Sequence, residues 1–190
     1  MVQLSYIKEV LDNDFDFQNA ATGDIVIIEV SEQSLQLPLF SYAVSLLCAG
    51  KTTLMVLTKH SYFEAVKQLN QDGIDLADVY FIDCISKRKH VDTVDSSHVV
   101  ELEESVQLQT VFGTLLDHTD EFSKNSLTAM DDLGSLKDLS PPGNFLRFFH
   151  LLLTKLRNKR VGGFMLLPQG TFTEDEYSEV KTLVDKVIHL

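Results

Sequence analysis

The stretch Gly23-Asp24-Ile25-Val26-Ile27-Ile28-Glu29-Val30-Ser31-Glu32-Gln33-Ser34-Leu35 decides the fold. Gly23-Asp24 punctuates the entry to a β-branched run, Ile25 to Val30, that shows no clean apolar/polar alternation. Apolar residues at successive strand positions mean burial on both faces, the pattern of a central strand in a parallel sheet. Pro38 is placed for the first turn of a helix, and Leu39, Phe40, Ala43, Val44, Leu46 and Leu47 supply its apolar surface up to Ala49-Gly50. The expected order is a strand, a loop from Ser31 to Leu37, and a helix closed by Gly50 as its C-cap.

The same alternation continues on either side. Leu4, Ile7, Val10 and Leu11 recur at helical spacing, which predicts a short amphipathic helix before the first strand, so that residues 1–22 form an N-terminal helix and connection. Leu54 to Leu57 predicts a second strand, and a helix from about Ser61, its N-cap, passes through Phe63, Val66 and Leu69 to Asn70. Val79 to Asp83 and His98 to Leu102 predict the third and fourth strands around a polar loop, Lys87 to Asp95. A helix from Ser105 to His118 presents Val106, Gln109, Phe112, Gly113 and Leu116 on one face, with Gly113 expected to let it approach the sheet. Leu127 to Met130 is the fifth strand, and it ends in Asp131-Asp132. After the Ser140-Pro141-Pro142-Gly143 loop come an apolar helix from Phe145 to Asn158 and Gly162-Gly163 leading into the strand Phe164 to Leu167. A helix capped by Thr173 and a last strand from Lys186 to Leu190 complete the chain. Such alternation predicts an open, mostly parallel sheet with helices on both faces and right-handed crossovers, in one domain over residues 1–190. Ligands on such sheets sit beyond the strand C-termini, so the loops after Val30, Leu57 and Met130 matter most.

Composition narrows the function classes. With 190 residues, 44% apolar and 23% charged, the chain has ordinary globular balance, and a domain of this length buries about 70% of its unfolded surface. Sixteen basic against 28 acidic residues give a formal net charge of -12, which repels phosphate backbones and argues against nucleic acid as a partner. The basic clusters Lys87-Arg88-Lys89-His90 and Lys155 to Arg160 fit solvated surface. Cys48 and Cys84 are too few for a disulfide framework or zinc spacing and are expected as buried thiols in a reducing compartment. No run approaches the ~20 apolar residues that span a bilayer, so the expectation is a cytoplasmic protein without membrane contact.

Ala49-Gly50-Lys51-Thr52-Thr53 imitates the end of a G-x-x-x-x-G-K-[ST] phosphate loop, but Ser45 stands where the first glycine belongs. The string also follows a helix and precedes a strand, the reverse of what aims backbone N–H groups at phosphate. The loop that does follow the first strand, Ser31 to Leu37, has neither glycine to form an anion nest nor lysine to neutralise a γ-phosphate, and Glu32 would repel one. Asp131 at a strand end fits either a magnesium-side acid or a residue capping the next turn. The six histidines are scattered without metal spacing, and His150, in an apolar helix, fits a core or interface residue. Asp83 ends the third strand as a receiver phosphoacceptor would, yet no acidic pair follows the first strand.

The order of elements and several strings resemble the KaiC/RecA-like ATPase domain family, especially shortened archaeal members with decayed nucleotide motifs. The strings are Gly23 to Ile28; Asp72-Gly73-Ile74-Asp75 before Val79 to Ser86; Leu127-Thr128-Ala129-Met130-Asp131-Asp132-Leu133; Leu146 to Arg157; and Val184 to Leu190. The resemblance implies a three-layer α/β/α fold with a phosphate loop at Ser31 to Leu37 and a pair of glutamates after the second strand, where this chain has Lys59-His60. The residual nucleotide-site positions it implies are Ser31, Glu32, Gln33, Ser34, Lys59, His60, Asp131 and Asp132, of which Asp131 keeps the type of the metal-side acid and Asp132 replaces a small hydroxyl residue. Phosphoryl transfer depends on electrostatics and positioning, so these departures imply a pseudo-ATPase with no catalytic residues, no cofactor and no metal. Side-by-side association of such domains implies a protein partner or self-association, in a regulatory or scaffold role. The alternatives are a nucleotide or small-molecule sensor at the strand ends, and different chemistry built from Asp131, Asp132, His60 and Lys59.

Overall fold

The computed structural model describes residues 9, 23–47, 51–85, 98–102, 107–121, 126–141 and 143–190. The expected N-terminal helix, the Gly50 cap, Cys48 and the Lys87 to Asp95 loop lie outside the described residues. Seven strands run β1 (Ile25–Val30), β2 (Thr52–Leu57), β3 (Val79–Asp83), β4 (Val99–Glu101), β5 (Ser126–Met130), β6 (Gly162–Pro168) and β7 (Lys186–His189). Among the described residues the helices are α1 (Gln36–Leu47), α2 (Tyr62–Gln71), α3 (Leu108–Glu121), α4 (Leu133–Asp138), α5 (Phe145–Lys159) and α6 (Glu174–Leu183). The strands form one parallel sheet in the order β4-β3-β2-β5-β6-β1-β7.

Both faces of this sheet are covered. Val26, Ile28 and Val30 of β1 pack with Leu39, Phe40, Ala43 and Val44 of α1 and with Ala65 and Leu69 of α2. Ile25 and Ile27 face the other side, where α3, α4, α5 and Val180 of α6 close the second core. The helices that follow β1 and β2 therefore lie on one face, and those that follow β5 and β6 lie on the other. Neighbouring strands whose chains leave to opposite faces open a crevice at their C-terminal ends. Among the described residues there are two such places, between β1 and β6 and between β2 and β5.

Several local expectations are corrected. The 3-10 turn Gln33–Leu35 runs straight into α1, so Gln36 and Leu37 are helical rather than loop, and Pro38 sits in a first turn whose N–H groups lack intrahelical partners anyway. On α2 the inward residues are Ala65 and Leu69, with Tyr62 and Val66 beside them, while Phe63 is 68% exposed. The α3 face is rotated by about one residue, to Leu108, Val111, Phe112 and Leu115; Gln109 and Gly113 are exposed, and a Cβ on Gly113 would meet nothing within 4 Å. His150 is exposed on α5 rather than in the core. Gly162 and Gly163 lie inside β6, not ahead of it, because Gly163 sits against the β5 backbone. Cys84 is only partly buried.

The two expected N-caps are present. Ser61 and Glu64 form a reciprocal capping box at α2, as do Thr173 and Glu176 at α6. Ser61→Ala should cost about 1 kcal/mol, measured by denaturant unfolding. The Ser61 backbone N–H and hydroxyl hold the Glu64 carboxyl below its usual range. Because the folded value is depressed, this contribution is full above the ordinary carboxylate range and should be lost as pH falls through the folded value.

Candidate functional site

The crevice between β2 and β5 is organised by Asp131, which is fully buried. One carboxylate oxygen, Oδ1, accepts hydrogen bonds from the Thr58 backbone N–H at 2.7 Å and from its hydroxyl at 3.0 Å. The other, Oδ2, accepts the backbone N–H groups of Lys59 at 3.2 Å and His60 at 2.8 Å, and lies 3.1 Å from His60 Nδ1. Three backbone N–H groups donate to this carboxylate, the Thr58 hydroxyl lies in reach as a fourth donor, and His60 Nδ1 makes a contact whose direction depends on its tautomer, on a group with about four lone-pair sites. Asp131 is thereby the clamp that holds the turn after β2 in place, and a metal or a metal-bound water would have to compete with these donors. The residues present do not fit the magnesium site that the family resemblance implies. Among the described residues there is also no group of three or more His, Cys, Asp or Glu placed to hold a metal ion.

Asp132 begins α4, where its Oδ1 caps the helix by accepting the Ser135 N–H at 2.8 Å. Its Oδ2 faces Lys59 Nζ at 3.1 Å and accepts Gln36 Nε2 at 3.2 Å. The lysine also donates to Gln36 Oε1 at 2.5 Å, and the Thr58 hydroxyl, whose one proton is shared between Asp131 Oδ1 and the Asp132 carbonyl, lies 2.7 Å from the latter. Lys59, Asp132 and Gln36 thus form a closed triangle joining the ends of β2, β5 and the start of α1. Asp132 and Gln36 are buried, so each polar atom gains from a partner that water would otherwise supply.

The structure therefore brings Lys59, His60, Asp131 and Asp132 together. Ser31, Glu32, Gln33 and Ser34 are exposed, and the loop's link to the cluster runs through Gln36 instead. Leu35 packs against the core beside α1. Gln36 was not singled out from sequence, although one polar residue among Leu35, Leu37 and Leu39 is a visible irregularity. Nearby, Asp83 accepts the Tyr62 N–H and the Ile85 N–H, both at 2.8 Å. Burial, with the Asp131 and Asp83 carboxylates adding to it, pushes the Cys84 thiol up to about 12, which keeps it protonated and unreactive near neutrality.

At the crevice between β1 and β6 lies a cavity of about 130 Å³ between Glu29, Leu167, Thr171, Phe172, Glu174 and Tyr177. Parallel register places Glu29 beside Leu167 on one side and His189 on the other. Glu29 Oε2 accepts the Tyr177 hydroxyl at 2.8 Å and lies 2.6 Å from His189 Nδ1. Burial, with Glu29 adding to it, pushes the Tyr177 phenol up to about 12, so it remains a donor. The signal for Glu29 was one acid in an otherwise apolar strand.

No helix among the described residues is long and apolar enough to cross a membrane. No protein-family model matches the sequence, and no curated protein matches it either. Among solved structures, the chain is similar to the flagellar accessory protein FlaH of Methanocaldococcus jannaschii, with 13% sequence identity and a TM-score of 0.58 over 93% of this chain and 77% of that one. At that identity the likeness speaks for the fold alone, and with the seven-stranded parallel sheet it shows that this chain has a RecA-like α/β fold.

Proposed function

We propose that the chain is a non-catalytic RecA/KaiC-like module that acts by binding protein, as a regulator or scaffold, and that it neither hydrolyses nor senses nucleotide. The observation that carries this is the closed triangle of Lys59, Asp132 and Gln36 beside Asp131, which holds three backbone N–H groups. In a RecA-like ATPase the loop after the first strand cradles phosphates, and a lysine neutralises them. Here the lysine that reaches the start of α1 comes from the turn after β2 and is committed to an internal carboxylate. The loop itself offers no glycine, and the buried Gln36 side chain at the start of α1 bonds both Asp132 and Lys59. Opening this arrangement for a phosphate would strip Asp132 of its counter-ion in a buried setting, which costs several kcal/mol.

His60 and Asp131 together would look like an acid–base pair if taken alone. Asp131, however, already serves three backbone N–H groups and the Thr58 hydroxyl, so its charge is spent on the turn rather than on a proton in transit. A sensor needs a pocket in proportion to its ligand. Small-molecule pockets run from about 300 Å³ upward, and the cavity that the described residues form around Glu29, at about 130 Å³, is below that range.

Thermal unfolding in the presence of ATP, ADP or GTP with magnesium tests the proposal. The melting temperature should not move as nucleotide is raised, and ATP turnover should stay at background. Stabilisation that grows with nucleotide concentration, as mass action demands of a ligand for the native state, or magnesium-dependent turnover, would overturn it.

A further inference from the structure

The cavity beside Glu29 plays no part in the Lys59 triangle, and its chemistry points outward. Leu167 and Phe172 are apolar residues of its lining, Glu29 and Glu174 are the acidic ones, and Thr171 and Tyr177 stand among the others. We propose that this cavity receives an arginine side chain from a basic protein partner. The proposal rests on the protein-binding function above and specifies the chemistry of the partner.

Size selects a side chain over a metabolite. At about 130 Å³ the cavity lies well below the ~300 Å³ at which small-molecule pockets begin, and it suits the end of one long side chain. Charge selects a cation. Glu29 takes its hydrogen bonds on Oε2, and among the described residues its Oε1 accepts none, although a carboxylate has capacity for about four. The other charges nearby are already committed. Glu176 is paired with Lys137 at 2.9 Å, and Lys137 also donates to the Thr171 carbonyl and lies over the Phe172 ring at 4.8 Å. Lys181 lies over the Tyr177 ring at 4.7 Å, and His189 is held on Glu29. What is left open is the Oε1 oxygen of Glu29 and the carboxylate of Glu174. A planar guanidinium can pair with these while its stem lies along Leu167 and Phe172, which a compact ammonium does less well. The formal net charge of -12 favours a basic partner over a second copy of this chain.

Nuclear magnetic resonance of the full chain, titrated at low ionic strength with the peptide acetyl-Gly-Arg-Gly-amide, tests the assignment. Saturable shifts are expected at the amides of Gly170, Thr171, Phe172 and Tyr177, with binding at least fivefold weaker in Glu29→Gln and, separately, in Glu174→Gln. Glu174 is exposed, so its substitution keeps the fold even where Glu29→Gln perturbs β1. No saturable shift, or shifts that both substitutions leave unchanged, would overturn the proposal. Shifts with agmatine but none with the peptide would also overturn it, since the site would then take a free cation. Nucleotide-dependent stabilisation would sink the function proposed above and leave these peptide shifts in place, whereas missing peptide shifts would leave the closed phosphate position untouched.

Discussion

Gly163→Ala is expected to abolish cooperative folding or to lower the melting temperature by about 6 °C or more, read by calorimetry or circular dichroism. A Cβ at position 163 would lie 1.9 Å from the carbonyl oxygen of Thr128 and 2.9 Å from its carbonyl carbon. Both atoms are backbone, and Thr128 and Gly163 are register partners in the β5–β6 pair near the centre of the sheet. No rotamer change can relieve such a contact, so two adjacent strands must part. Overpacking against movable side chains already costs about 1–3 kcal/mol. Displacing a central backbone pair should cost at least about 3 kcal/mol, equivalent to about 6–12 °C at this chain length. Gly113→Ala supplies the opposite sign. That glycine is exposed within α3 with open space around it, and alanine there should stabilise by up to about 1 kcal/mol through helix propensity. If both alanines were equally harmless, the close approach of β5 and β6 would be wrong.

The two glycines show where sequence patterns reach and where they stop. A continuous apolar run such as Ile25 to Val30 specifies a strand buried on both faces whatever its neighbours are, so β1, β2, β3, β5 and β6 were legible with small errors at their ends. Ser61 and Thr173 were legible as caps because a capping box is a local hydrogen-bond pattern four residues long. Gly163 and Gly113 look alike in sequence, yet one meets backbone and the other meets nothing. That difference is set by which strand lies next door, and the order of strands is a property of the whole chain. The α3 face missed by one residue for a related reason. Gln109 and Gly113 fit the helical spacing, but burial of Leu108, Val111 and Leu115 removes more apolar surface from water and fixes the rotation.

The candidate site divides in the same way. Asp131 and Asp132 stood out as acids at the end of an apolar strand, and Lys59-His60 stood out as a departure from the pattern the resemblance implies. Their partners did not stand out. Gln36 lies 96 residues from Asp132 and Asp131 lies 73 from Thr58, and no local pattern encodes contacts at that separation. The strand order β2-β5 brings the two turns together, and parallel register then sets the Asp131 carboxylate under three consecutive N–H groups. An acid kept at a strand end is therefore consistent with two opposite roles. Only its lone-pair count separates a ligand for metal from a clamp for backbone.

Asp131→Ala turns that count into a measurement, and destabilisation of about 3–5 kcal/mol is expected. The substitution removes the acceptor for the N–H groups of Thr58, Lys59 and His60 together with the Thr58 hydroxyl. Each buried donor left without a partner costs about 1–3 kcal/mol, and loss of one member of a buried charged network reaches about 3–5 kcal/mol. The turn after β2 should loosen, carrying Lys59 away from Asp132 and Gln36. Asp131→Asn should fall between the wild type and the alanine variant, since an amide keeps one oxygen to accept but turns an NH₂ toward donors that need an acceptor. A metal-side acid behaves differently in two respects. Its loss would leave stability without magnesium nearly unchanged, because an unloaded metal ligand repels its neighbours rather than holding them. Its presence would make the wild type melt higher when magnesium and ATP are added together. Melting curves of the wild type and both variants, each with and without magnesium and ATP, separate the roles: a clamp gives large losses in every buffer and no response to the added ligands, and a magnesium-dependent gain confined to the wild type would return Asp131 to the metal role.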